Sequence, residues 1–129
     1  MNPHNDSICT NELLKDNRQL ACVLGARYPD LSKLLDVNTR TIENLLQEIA
    51  LLHRREVPEH SSLDEVDKLD ELVRLNRSQA AVFSGRGRID QIWVRLIRLN
   101  IGAIESLRLD AAVLFASVEA PELLKRRVS

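Results

Sequence analysis

The sequence predicts an all-α fold, a tandem repeat of helix-turn-helix-like three-helix units packed as one helical body. Aliphatic residues recur at three- and four-residue spacing along most of the chain, the signature of amphipathic helices. Only 3% of residues are aromatic, and four Gly and four Pro leave few turn formers for a many-stranded sheet. Finally, Glu12 to Arg27 can be laid over Glu71 to Arg86 without a gap, which matches Glu12, Leu13, Asn17, Arg18, Ala21, Val23 and Arg27 with identical residues. Chance would supply about one such match.

The first helix is expected over Ile8, Leu13, Leu14, Leu20, Ala21, Val23 and Leu24, ending near Gly25. Tyr28-Pro29-Asp30 reads as a turn, with Asp30 placed to cap a short helix from Leu31 to Leu35. Asp36-Val37-Asn38 is expected to break that helix. Thr39 restarts it, with Ile42, Leu45, Leu46, Ile49 and Leu52 on one side and His53-Arg54-Arg55 at an end where cations suit the dipole. Residues 1–56 therefore make up the first unit. An acidic linker with Pro58 follows over 57–70, and Ser62 with Glu65 forms a capping-box signal for a helix that continues from Leu63 to Ser84. Residues 71–129 are the second, degenerate unit. Gly85 and Gly87 mark a turn, helices are expected from Ile89 to about Leu99 and from about Ala103 to Val118, and Pro121 opens a short basic turn. Beyond Arg27 the second copy needs roughly three more residues, which sets Asn38, Ile42, Glu43 and Leu45 opposite Asn100, Ile104, Glu105 and Leu107. A unit of this kind buries its own apolar face poorly, so two copies are expected to pack together.

A length of 129 residues suits one shared core. The formal charge of −1 supplies no global field for nucleic acid, so any such binding must come from a local face. No apolar run approaches the ~20 residues of a membrane span, and the polar start Met1-Asn2-Pro3-His4-Asn5-Asp6 lacks signal-peptide character. A cytoplasmic protein without membrane attachment is expected. Cys9 and Cys22 lie too far apart on one helix to form a disulfide, which leaves free thiols.

Function is sought in the span from Leu31 to Leu46, which reads as two helices joined by a tight turn, the grid of a helix-turn-helix. Leu31 and Leu35 seat the first helix, Val37 plugs the turn, Ile42 and Leu45 seat the second, and small Ser32 permits close approach. Asp36 stands where Gly is commonest, and Asp tolerates a left-handed backbone better than most residues. The outward positions of the second helix would be Asn38, Thr39, Arg40, Glu43, Asn44 and Gln47. Arg40 can bond a guanine edge or a phosphate, Asn44 and Gln47 can pair with adenine, Thr39 can meet a phosphate or a thymine methyl, and Glu43 can accept from cytosine. The chain is thus expected to be a DNA-binding transcriptional regulator, activator-like, with double-stranded DNA as partner and the helix at 39–53 as recognition helix. A solvated face with i,i+3 and i,i+4 pairing is the alternative for the same residues.

In the second unit the matching face, Asn100, Ile101, Gly102, Glu105, Ser106 and Leu109, carries no cation. Together with Trp93, Ile101 and Leu109 form either an oligomer interface or part of the core. This leaves room for a helical protein-binding adaptor or anti-activator that never touches DNA. Arg86 with Arg88, Arg95 with Arg98, and Lys125-Arg126-Arg127 can add phosphate contacts or remain solvated. Catalysis finds no support. His4, His53 and His60 have no metal-ligand spacing, neither cysteine has a CxxC partner, and Asp64 with Glu65 sits in the acidic linker. No enzyme activity, cofactor or metal is expected.

Leu20-Ala21, Leu24-Gly25-Ala26-Arg27, Leu31, Val37, Thr39, Ile42, Leu45 and Glu48-Ile49 together resemble, without a gap, the N-terminal part of the FlhC family of bacterial flagellar master activator subunits. The region around Leu75-Asn76 and from Ser78 to Leu99-Asn100-Ile101 is more faintly similar to the partner FlhD family. The resemblance implies a helical promoter-binding activator that works in a multi-subunit complex, as a homo-oligomer or with another regulator subunit, and recruits RNA polymerase. It covers about a quarter of the chain. The cysteine cluster with which FlhC-like proteins bind zinc has no counterpart here, so zinc is not carried over.

Overall fold

The structure, a computed structural model, describes residues 3–58, 65–85 and 87–119, and the side chains of these except 3–9, 24 and 89. The described residues form four helices and no strand: α1 (Pro3–Leu24), α2 (Pro29–His53), α3 (Val66–Phe83) and α4 (Arg88–Glu119). The all-α expectation holds. His60, Ser62, Asp64, Arg86, Pro121 and the Lys125-Arg126-Arg127 run lie outside the described residues.

The expected breaks within α2 and α4 are absent. Residues 36–38 lie inside one helix of 25 residues, and residues 100–102 lie inside one of 32. Hence no helix-turn-helix turn exists at Asp36-Val37-Asn38, and each half of the chain is a pair of long helices where three were expected. The reason lies in where the polar side chains find partners. Asn, Asp and Thr disfavour helix interiors when they bond their own backbone in competing conformations. Here the Thr39 hydroxyl donates to the Leu35 carbonyl one turn back at 2.8 Å, a bond that the helix accommodates. The Asn38 amide is bonded to a residue of α3, and Asn100 donates both to Leu96 of its own helix and to Asn17 of α1.

Pro29 opens α2 at a position where its missing N–H costs nothing, and the Tyr28 carbonyl accepts from Ser32 N at 3.0 Å. The other end of α2 is closed by Arg55 N donating to Leu52 O and Glu56 N donating to Leu51 O, a Schellman pair. That pair places Arg55 at φ 60°, where glycine is the usual occupant. Between α3 and α4 the turn uses Gly85 at φ 83°, a conformation that a side chain would strain. At the start of α3, Glu65 is the N-cap without a side-chain cap bond, and it accepts from Lys68 Nζ instead.

The most extensive contact joins α2 to α4, with α1 against α2 on one side and α3 against α4 on the other. One apolar cluster runs through all four helices: Leu13, Leu14 and Ala21; Leu31, Leu34, Leu35 and Ile42; Leu72, Val73, Ala80 and Phe83; Val94, Leu96, Ile97 and Ile104. Tyr28 packs edge-on against Phe83 with ring centroids 5.3 Å apart, an orientation that suits aromatic quadrupoles. Ser32 donates to the Ala21 carbonyl at 2.7 Å, which ties α2 to α1 near Gly25.

Two asparagine pairs lie fully inside this cluster. Asn17 and Asn100 exchange amide hydrogen bonds at 2.6 and 2.9 Å, and Asn38 and Asn76 do so at 2.7 and 2.8 Å, with all four side chains at 0% exposure. Asn17 aligns with Asn76 in the sequence and Asn38 with Asn100, so the bonds run crosswise, from the first helix of one half to the second helix of the other. At the surface, Arg18 is paired with Glu43, and at the aligned positions Arg77 is paired with Glu105 at 3.2 Å.

Candidate functional site

Because α2 and α4 pack against one another, the side of each helix opposite its buried row points away from the other helix. Two outward faces result, on opposite sides of the bundle.

On α2 the buried row is Leu31, Leu34, Leu35, Asn38, Thr39, Ile42, Leu45, Glu48 and Leu52. This corrects two of the six expected DNA contacts. Asn38 is 0% and Thr39 6% exposed, both facing the core, so neither can reach a ligand. They were placed outward on the assumption that a new helix starts at Thr39. With α2 continuous from Pro29, the helical phase is set by Leu31 and Leu35, and positions 38 and 39 fall on the inner side.

The remaining four are exposed, as are Lys33 and Asp36. Arg40, Asn44 and Gln47 follow each other at steps of four and three, which puts them in one stripe about 10 Å long. None of the three has a partner among the described residues. Glu43 does not share their freedom, since it accepts from Arg18 of α1. The stripe therefore offers one guanidinium and two carboxamides, groups that together can donate to and accept from base edges or phosphates.

On α4 the outward side is different. Leu109 is 65% exposed, but Trp93 and Ile101 are partly buried and pack against the core cluster. Their assignment to an oligomer surface is corrected, because they lie on the flank of α4 that meets the other helices. Trp93 keeps its Nε1 donor buried without an acceptor among the described residues. The exposed apolar residues are instead Ile92 (58%), Leu99 (55%), Leu109 and Val113 (52%). Ile92 and Leu99 stand seven residues apart, and Ser106 and Val113 extend that series, all exposed. Seven-residue spacing keeps a side chain on one face of a helix, so the stripe was present in the sequence. It was obscured because a break at residues 100–102 divided the helix in two. Gly102 lies midway along it, and a Cβ added there would meet nothing within 4 Å.

Two depressions flank these faces. A cleft of 640 Å³ between α3 and α4 is lined by Arg77, Ala80, Ala81, Ser84, Arg98 and Ile101. A smaller one of 330 Å³ between α2 and α3 is lined by Asp30, Lys33, Leu34, Val37, Leu72, Leu75 and Gln79. Among the described residues no three His, Cys, Asp or Glu side chains come together as a metal site, and no helix is long and apolar enough to cross a membrane. The Cys22 thiol is free and exposed. Cys9 lies on the same helix, about 20 Å away along its axis.

No protein-family model, no curated protein and no solved structure matches this chain.

Proposed function

We propose that this chain is a DNA-binding transcriptional regulator of the cytoplasm, without catalytic activity, that contacts double-stranded DNA through the outward stripe Arg40, Asn44 and Gln47 of α2. The observation that carries this reading is that three base-reading side chains share one exposed stripe on a long helix and have no partners among the described residues. An α-helix fits the major groove, and such groups there distinguish bases, each good two-point pair being worth about 1–3 kcal/mol. The contact is made by the side of an uninterrupted helix, with Lys33 two turns before Arg40 as a phosphate partner. The likeness of residues 20–49 to the FlhC family points the same way, toward a promoter-binding activator that works beside RNA polymerase.

The two halves are read as a duplicated helical hairpin. Four hydrogen-bonded or ionic links support this, since the alignment maps the pair Asn17–Asn100 onto Asn76–Asn38 and the pair Arg18–Glu43 onto Arg77–Glu105. In the duplicate the equivalents of Arg40, Asn44 and Gln47 are Gly102, Ser106 and Leu109, so one half keeps the polar stripe and the other replaces it with an apolar one. The apolar stripe is the contact with another subunit, either a second copy or a different regulator.

Electrophoretic shift assays with genomic fragments at low salt test the reading. Salt-sensitive binding is expected, weakened roughly 5- to 100-fold in Arg40→Ala and lowered further in Asn44→Ala. An absence of shift in every fragment, or an unchanged shift in Arg40→Ala, would overturn it.

A second reading is favoured by the α4 stripe, whose Ile92, Leu99, Leu109 and Val113 are all more than half exposed. In it the chain is a protein-binding adaptor that never touches DNA. Pull-down and light scattering separate the two, because partner capture in the adaptor survives Arg40→Ala and fails in Leu109→Asp.

A further inference from the structure

We propose that the cleft between α3 and α4 binds a phosphate group, carried by a small phosphate ester or by a nucleic-acid strand, and that Arg98 is the side chain that holds it. At 640 Å³ the cleft falls in the size range of small-molecule sites. Its two cations are not equivalent. Arg77 already donates to Glu105 across the helix pair at 3.2 Å, whereas Arg98, with five N–H donors, has no partner among the described residues.

The aligned positions of the first half separate framework from site. Arg77 and Glu105 correspond to Arg18 and Glu43, which are also paired, so that link is a tie between helices that both halves use. Arg98 corresponds to Asp36, and Ser84 corresponds to Gly25. The unpaired cation and the hydroxyl therefore occur only in the second half, and at one of the two positions the charge is reversed.

The surroundings favour an anion. Arg95, one turn before Arg98, and Arg88, further toward the start of α4, are exposed on the same side of the helix. Among the described residues no acid lines the cleft, and of the acids of α4 closest to Arg98 in sequence, Glu105 is engaged by Arg77 and Asp90 is partly covered. A phosphate can accept from the guanidinium fork of Arg98 through two oxygens and from the Ser84 hydroxyl through a third. Ala80, Ala81 and Ile101 form an apolar wall for the carbon part of an ester.

A competing role exists for Arg98. α3 has no cation in its own last turn, and Arg98 can neutralise the negative end of that helix. The two roles differ in what they predict for binding and for stability.

Isothermal titration calorimetry of the full chain at low salt, with sodium pyrophosphate, AMP and a short DNA duplex as separate probes, tests the proposal. At least one probe is expected to bind saturably, at least tenfold more weakly in Arg98→Ala and less weakly in Arg98→Lys, and the affinity for pyrophosphate or AMP is expected to change little in Arg40→Ala. Binding of pyrophosphate or AMP that weakens in Arg98→Ala assigns the site to a small ester, and binding of the duplex alone that weakens in Arg98→Ala assigns it to a nucleic-acid strand. Failure of all three probes to bind overturns the proposal. So does unchanged affinity in Arg98→Ala, including the case where that variant merely melts at a lower temperature, which would assign Arg98 to the end of α3. The α2 reading stands or falls on Arg40 instead, so the failure of one is separable from the failure of the other.

Discussion

Truncating both members of a buried asparagine pair should cost less than the sum of the two single truncations. Asn76 donates through Nδ2 to Asn38 and to the Leu72 carbonyl, both at 2.8 Å, and accepts from Asn38 Nδ2 at 2.7 Å. Asn76→Ala removes all three bonds and strands the Asn38 amide where no water reaches, since Asn38 is 0% exposed. Each unsatisfied buried donor or acceptor costs about 1–3 kcal/mol, so the two abandoned groups of Asn38 set an expectation of about 3–4 kcal/mol. Asn38→Ala strands Asn76 similarly, although the Leu72 bond remains to Asn76, and about 2–3 kcal/mol is expected. The double variant leaves neither amide behind. Its cost should stay at about 4 kcal/mol, which makes the coupling about 1–3 kcal/mol, within the range for directly bonded pairs. Urea unfolding followed by far-ultraviolet circular dichroism and by the single tryptophan, Trp93, measures it. With a slope of ~2 kcal/mol/M, the midpoint of Asn76→Ala should fall by about 1.5–2 M. Crossing Asn17→Ala with Asn76→Ala, which belong to different pairs, should give additive costs. A single-variant cost below about 1 kcal/mol, or a 38/76 cycle additive to within ~0.5 kcal/mol, refutes the reasoning.

Further expectations concern backbone and charge. Arg55→Gly should stabilise the chain by up to about 1 kcal/mol, because it removes the strain of a side chain at φ 60° while keeping the Schellman bonds; thermal unfolding checks this, and a lower melting temperature would contradict it. Gly102→Ala, in the interior of α4 with open space where the Cβ would go, should stabilise by about 0.5–1 kcal/mol. If α4 associates closely with another subunit through this stripe, the same variant should weaken that association in sedimentation experiments. Arg74 holds the Glu71 carboxylate below its ordinary range, chiefly through their hydrogen bond. A depressed carboxyl contributes to stability above its unfolded value and loses that contribution as pH falls through the folded one. Side-chain NMR should therefore show Glu71 titrating lower than in Arg74→Ala, and equal midpoints would remove the effect.

Much of the fold was legible because aliphatic spacing alone locates helix faces. The helical periodicity around Leu31, Leu34, Leu35, Ile42 and Leu45 correctly marks a buried side of α2, and the same is true of Ile97 and Ile104 on α4. What local reasoning missed was the continuity of those helices. Asp36-Val37-Asn38 and Asn100-Ile101-Gly102 look like breaks because Asn and Gly disfavour helix interiors, and that preference is a local one worth under about 1 kcal/mol per residue. A reciprocal buried bond between asparagines distant in sequence outweighs it, and such a bond is invisible until the partner helix is in place. One signal for it was available. Asn17, Asn38, Asn76 and Asn100 recur at aligned positions where their neighbours are apolar, which argues for polar groups satisfied inside a core. The phase error that followed from the missed continuity moved Asn38 and Thr39 to the wrong side.

The crossed asparagine pairs also bear on how the chain chooses one arrangement of its helices. Leucine-rich faces pack tolerably in several registers, since aliphatic side chains can repack with small losses. A buried amide cannot, because a shift of one residue in α2 against α3, or in α1 against α4, would leave four donors and acceptors without partners. A single buried asparagine can fix the register of paired helices at some cost in stability. Here two pairs act on two different helix contacts, α1 with α4 and α2 with α3, so that each of the four helices carries one such residue. That in turn fixes which sides of α2 and α4 look outward, so that Arg40, Asn44 and Gln47 stay on one side of the bundle and Leu99 and Leu109 on the other. Replacing both pairs by aliphatic residues should accordingly retain helicity in circular dichroism while broadening the amide spectrum. A spectrum as sharp as that of the unmodified chain would show that the aliphatic packing alone sets the register.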